Sequence, residues 1–197
     1  TVRGIYYRSV NTFQSQSCVE RIIANFMAHF KATRSQLNIC ASPKGLVFGA
    51  LRIKCENGQT VDYSAIPMMS ADIGGFSGHT VPLLSDIDTT CVQSNNGIDC
   101  QAQVIFVIEK EAVFKTLLQS QSFWQRYWPC LIVTGKGYPD IATRVLLRAL
   151  RSVPMVGIVD YDPHGLDILL VYKEGSKSLQ QQSDQLILPD IEWLRWY

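Results

Sequence analysis

Apolar positions recur along this chain in two rhythms. Behind Ser17-Cys18-Val19-Glu20, which forms a capping box, Val19, Ile22, Ile23, Phe26, Met27 and Phe30 fall at helical spacing. They predict an amphipathic helix of about four turns. After Pro43-Lys44-Gly45 the rhythm becomes strand-like in LVFGALRIK and again in TVDY, with Glu56-Asn57-Gly58-Gln59 between them. Asn-Gly between two β-rich runs predicts a hairpin. A helix followed by a hairpin suits the helix and wing of a winged-helix DNA-binding unit. Residues 64–101, rich in Ser, Gly, Pro, Asn and Asp, predict a connector, with His79 as a loop residue.

From Gln103 onward, short apolar runs alternate with helical ones. VIFVIE (104–109) reads as a buried strand ending in Glu109, and Glu111 to Ser120 as a helix. CLIVT (130–134) is a second buried strand, followed by the loop GKGYPD. Asp140 to Arg151 is helical, with Ile141, Val145, Leu146, Ala149 and Leu150 inward and Arg144, Arg148 and Arg151 on another face. MVGIVDYDPHG (155–165) begins as a strand and stops at Asp160-Tyr161-Asp162-Pro163, where Asp is a good cap and proline suits the first helical turn. A helix from Gly165 to Tyr172 follows, then a polar tail closing on a short apolar run. This order predicts βαβ units on a parallel sheet, whose ligands bind at the carboxyl ends of the strands. Glu109, the Thr134–Asp140 loop and the Asp160/Asp162 pair all fall at that edge.

Composition changes this picture little, and charge changes it more. With 47% hydrophobic and 18% charged residues the chain has a globular composition, and its apolar runs are too short to span a membrane. No basic-then-apolar leader precedes the first helix, and the start at Thr1 suggests a processed chain or a fragment. Cysteines at 18, 40, 55, 91, 100 and 130 form no CxxC pair and no zinc spacing, so reduced thiols of an intracellular protein are expected. The net charge is only +1, yet residues 1–54 hold eight Lys/Arg against one acid and the remainder ten against sixteen. A basic front and an acidic back suit a phosphate-binding surface joined to a cation-binding one.

Three carboxylates at one sheet edge suit magnesium, a hard cation that keeps places for water and phosphate. Asp162 can serve as a helix cap, as a ligand beside Asp160, or as both. Lys136, between Gly135 and Gly137, can add positive charge near a phosphate. The loop is no nucleotide P-loop, because Cys130 stands at the first glycine position and Gly137 where Ser or Thr should follow Lys136, so no ATP site is expected. No His or Cys is placed as an evident nucleophile. His164 can simply begin a helix, whereas Tyr7, flanked by Arg3 and Arg8, is a phenol that a neighbouring cation can activate.

These stretches resemble a known family. VIEKEAVF (107–114), TGKGYPDIATR (134–144) and VDYDPHGLDILLVYKEGS (159–176) are similar to the Toprim domain of the topoisomerase VI A subunit family. Within that family they are most similar to the meiotic double-strand-break transesterases. RGIYYRSVNTFQSQ (3–16) resembles the family's catalytic-tyrosine segment, and SPKGLVFGALR (42–52) its following stretch and wing. The resemblance implies an α/β fold. Residues 1–63 would be the C-terminal part of a winged-helix catalytic domain, 64–101 a connector and 102–197 a shortened Toprim domain. It makes Tyr7, the second of the Tyr6-Tyr7 pair, the nucleophile, with Tyr6 as the alternative candidate, and Arg3 its preceding arginine. Glu109, Asp160 and Asp162 become the ligands of Mg2+, and Arg8, Lys44 and Lys136 contacts to DNA.

The activity implied is that of a type IIB-like topoisomerase, a transesterase that breaks both strands of DNA to start meiotic recombination in the nucleus, on chromosomes. A homodimer with shared active sites and an ATP-binding B-type partner are implied with it. One departure stands out. Gly4 occupies the position where the family usually has Asp. It leaves open a non-catalytic DNA-binding subunit or relic of the same fold, and a Toprim hydrolase using metal-bound water is a third possibility.

Overall fold

The computed structural model describes residues 2–32, 37, 39, 43–54, 59–65, 76–83, 97–175 and 186–194. The chain divides into two compact units, Thr1–Ser42 and Pro43–Tyr197. The first unit holds α1 (Val2–Arg8) and α2 (Gln16–Phe30). The cap of α2 is Ser15 rather than Ser17. Its backbone is extended and its hydroxyl accepts from the amide of Cys18 at 3.2 Å. Of the expected apolar stripe, Val19 and Ile23 are buried, while Phe26 and Phe30 stack on each other in exposed positions.

The second unit is built on a six-stranded sheet in the order β4-β1-β7-β6-β8-β9. Its strands are β1 (Leu46–Gly49), β4 (His79–Thr80), β6 (Ile105–Ile108), β7 (Leu131–Thr134), β8 (Met155–Ile158) and β9 (Glu192–Trp193). From β7 to β9 the strands run parallel, and β1 is antiparallel to both of its neighbours. The smaller sheet, β3-β2-β5, is antiparallel and comprises β2 (Leu51–Lys54), β3 (Thr60–Asp62) and β5 (Ile98–Cys100).

Every residue of β6 and β7 is buried, as central parallel strands require, and alternate residues face two different cores. On one side, Ile105, Val107, Leu131 and Val133 meet α5 (Ile141–Ala149) and α6 (Pro163–Glu174) through Leu146, Leu147, Ile168 and Tyr172. On the other, Phe106, Ile108 and Ile132 meet Phe114 and Leu118 of α3 (Glu111–Gln119) and Trp124 of α4 (Gln121–Tyr127). Ser120 ends α3 and caps α4, its hydroxyl accepting from the Phe123 amide at 3.3 Å.

The expected boundary after Tyr63 therefore differs from the division in the structure. LVFGALRIK is two strands, because Gly49 bends the chain at φ 133°, where an added Cβ would lie 2.2 Å from the Cys130 carbonyl oxygen. β1 pairs with β7 in the large sheet and β2 with β3, so both strands belong to the second unit rather than to a wing beside α2. The hairpin itself forms, with Arg52 opposite Asp62, although Asn57-Gly58 lies outside the described residues. Part of the expected connector also joins the sheets, as β4 and β5. His79 is in β4, not in a loop, and its Nε2 lies 2.8 Å from the Ala65 carbonyl oxygen.

Arg144, expected on an outer face, is 1% exposed. Its guanidinium donates to the Leu186 carbonyl at 3.3 Å, and Arg148 donates to that of Ile187 at 2.9 Å. Burial holds both guanidinium pKa values below the usual arginine range.

Asp140 ties two parts of this unit together. One carboxylate oxygen caps α5 by accepting from the Thr143 amide at 2.8 Å, and the other accepts from the Lys44 amide at 2.6 Å. Asp140→Ala is expected to destabilise the fold by about 2 kcal/mol, read as a lower urea midpoint at unchanged slope.

Candidate active site

Parallel pairing places the ends of β6 and β8 side by side, with Ile108 opposite Ile158. The residues that follow, Glu109 and Val159-Asp160, therefore leave the sheet at one edge. Glu109 is 9% exposed, and its carboxylate accepts from the Asp160 amide at 2.8 Å. That hydrogen bond compensates part of the cost of burying the carboxylate. The Glu109 carbonyl oxygen accepts from the Gly137 amide at 2.9 Å and the Thr134 hydroxyl at 3.3 Å. The loop after β7 thus hangs on the same residue. Lys136 and Gly137 turn it at φ 54° and 85°.

Asp160 is half-buried and forms an ion pair with Lys110. The Asp160 hydrogen bond, and then the charges of Asp160, Glu109 and Asp162, raise the Lys110 pKa above the ordinary lysine value. Asp162 is exposed and caps α6, one oxygen accepting from the Gly165 amide at 2.6 Å. Both readings of Asp162 start from this geometry, since its second oxygen is not used by the cap. Gly165 packs against the preceding turn, where an added Cβ would sit 2.3 Å from the Asp160 carbonyl oxygen.

Among the described residues, no group of three or more His, Cys, Asp or Glu is drawn together tightly enough to hold a metal by itself. The donors nevertheless fit magnesium. All three side chains offer oxygen, and Mg2+ is commonly held by one or two carboxylates together with substrate phosphates and water rather than by a full protein cage. Glu109 and Asp160 would be those two. A cleft of about 300 Å³ opens beside them, lined among others by Lys110, Tyr161 and Trp193. The exposed Tyr161 ring stacks on Trp193, with centroids 5.6 Å apart.

Two of the expected DNA contacts lie near each other, the Lys44 ammonium 3.5 Å from the Lys136 carbonyl oxygen. Lys136 itself pairs with Glu111 at 3.3 Å, and Glu111 pairs also with Lys115 at 2.8 Å. His164 is on α6, edge-on to Tyr138, whose hydroxyl donates to Asp167. These side chains hold one another rather than a nucleophile.

Tyr7, Arg3 and Arg8 belong to the first unit, on α1. Tyr7 is 67% exposed, its ring 5.3 Å from that of Tyr6, and both arginines are exposed. Arg3 and Tyr7 are four residues apart, on one face of the helix, which suits a guanidinium assisting a phenolate. Arg8 closes the last turn, where positive charge suits the helix dipole.

The sequence does not single out Lys110. Its only local signal is a lysine directly after a strand-end glutamate, and the partner that gives it meaning is Asp160, distant along the chain.

Residues 104–195 match the Toprim domain of the family described by the topoisomerase 6 A subunit and Spo11, and residues 1–39 match the family described as type IIB DNA topoisomerase. The A subunit of DNA topoisomerase 6 from Arabidopsis thaliana is 36% identical over 197 residues, covering 98% of this chain and 42% of the relative. The human meiotic recombination protein SPO11 is 34% identical, with 98% and 46% covered. Meiotic recombination protein rec12 of Schizosaccharomyces pombe is 37% identical over 186 residues, with 92% and 46% covered. The chain thus spans somewhat under half the length of these relatives. Among its described residues no helix is long and apolar enough to cross a membrane.

Proposed function

Because the chain belongs to the family of the topoisomerase 6 A subunit and Spo11, we propose that it acts as a DNA transesterase, making double-strand breaks that initiate meiotic recombination. The observation that carries this reading is the Glu109–Asp160 edge, two acidic residues at the ends of adjacent parallel strands, where the Glu109 carboxylate accepts from the Asp160 backbone amide at 2.8 Å. With it goes an exposed tyrosine on a basic helix.

The Tyr7 hydroxyl loses its proton and its oxygen bonds to a backbone phosphorus. The bond from that phosphorus to the 3′ oxygen breaks, and the leaving oxygen takes a proton. The protein is left on the 5′ phosphate. Arg3 stabilises the phenolate, while Arg8, Lys44 and Lys136 bind phosphates. Such contacts position the duplex without reading its sequence, and they weaken with salt. Glu109 and Asp160 would hold Mg2+, with Asp162 on the same edge. When bound, the metal neutralises charge on the phosphate and the leaving oxygen.

This reading includes a homodimer, in which Tyr7 of one protomer serves the acidic edge of the other. It also includes an ATP-binding B-type partner and action on chromosomes in the nucleus. Gly4, in place of the aspartate of the resembling family, favours a second reading as a DNA-binding subunit without cleavage.

Asp160→Asn separates the two. In the dimer assembled with its partner, cleavage of duplex DNA is expected to fall by about a hundredfold. DNA retention should stay within about twofold, because the lost group is not a phosphate contact. A chain that retains DNA but never cleaves it, with or without Asp160, would favour the second reading.

A further inference from the structure

Lys110 occupies a position that local physics disfavours for lysine. It is the N-cap residue of α3, its side chain makes no capping hydrogen bond, and a cation there opposes the helix dipole. The surroundings supply the compensation. The ammonium pairs with Asp160, one of the two acids that would hold the metal, and the negative charge of Glu109 and Asp162 nearby favours it there. The other lysine of this helix, Lys115, pairs with Glu111 instead. Lys110 is also accessible, since its side chain is 54% exposed and lines the open cleft beside the acids.

We propose that Lys110 is an internal counter-ion for the acidic edge, displaced when a divalent cation binds there, and that its released ammonium then meets an oxygen of the DNA phosphate. This inference rests on the metal reading of Glu109 and Asp160. An edge of three acids with no cation would repel itself. Lysine suits this exchange better than arginine because its ammonium is a compact charge on a flexible stem. Lys110 is thus a positioning residue before DNA binds and a phosphate contact afterwards.

The test is a calorimetric Mg2+ titration of the full chain without DNA, comparing wild type, Lys110→Met, Lys115→Met and Asp160→Asn. Methionine keeps the stem and removes the competing charge. Lys110→Met is expected to bind Mg2+ about fivefold more tightly, the upper range for an exposed pair, while Lys115→Met matches wild type. With Mg2+ present, the salt dependence of DNA retention by Lys110→Met should lose about one unit of slope.

If Lys110→Met binds Mg2+ no more tightly than wild type, while Asp160→Asn binds weakly, the counter-ion role is overturned and the metal reading stands. If wild type and Asp160→Asn bind alike, or neither binds, both fall. An unchanged salt slope removes the phosphate contact. Circular dichroism shows whether each variant is folded, and Lys110→Gln repeats the comparison if the methionine variant is not.

Discussion

Gly165→Ala is expected to lower stability by about 2–3 kcal/mol and to cut DNA cleavage by about a hundredfold. The added methyl group would stand 2.3 Å from the Asp160 carbonyl oxygen and 3.0 Å from the Asp160 nitrogen. Both neighbours are backbone, so neither can swing aside as a side chain would. The strand end and the helix start must separate, and three hydrogen-bonded pieces depend on their present spacing. Asp160 donates its amide to Glu109, Gly165 donates its amide to Asp162, and Asp160 pairs with Lys110. A shift of about 1 Å in groups that position a reacting phosphate is enough for the loss expected in rate. Urea unfolding and DNA cleavage on one preparation check both halves. Full cleavage with normal stability would show that this turn does not set the acidic edge.

Tyr7→Phe is expected to have the larger effect on activity and almost none on the fold. Tyr7 is 67% exposed, and exposed substitutions usually change stability by less than about 0.5 kcal/mol. Removing a nucleophilic oxygen leaves no atom to form the covalent bond, and losses of about 10⁴-fold or more follow when such a group is deleted. DNA retention should persist, because Arg3, Arg8 and the lysines of the second unit are untouched. Tyr6→Phe, one residue away and on a different face of α1, should cleave normally.

Much of this site is legible in the amino-acid pattern alone, for physical reasons that differ from part to part. The runs ending in Glu109 and Asp160 read as buried strands because central parallel strands are apolar on both faces. Once strands and helices alternate, the topology alone puts those acids at one edge. What local pattern does not carry is pairing between distant segments. LVFGALRIK reads as one strand of a hairpin, yet β1 pairs with β7, whose residues lie far along the chain, and only the bend at Gly49 marks the separation. Arg144 reads as outward because an arginine is rarely buried, and the carbonyl of Leu186 that receives it is invisible to helical periodicity. The capping-box pattern points to Ser17, and only backbone geometry shows that Ser15 is the cap. Lys110 escapes the pattern for the same reason as Arg144, since its role is set by Asp160.

The central claim is that a phenolic oxygen of this chain becomes bonded to DNA. The most direct measurement is denaturing capture of protein–DNA adducts from the chain assembled with the proposed B-type partner, Mg2+ and duplex DNA, followed by peptide mapping. The expected result is a 5′-phosphotyrosyl link at Tyr7, absent in Tyr7→Phe and strongly reduced in Asp160→Asn. Cleavage that persists in Tyr7→Phe without any adduct, but disappears in Asp160→Asn, would contradict it and point to hydrolysis by metal-bound water.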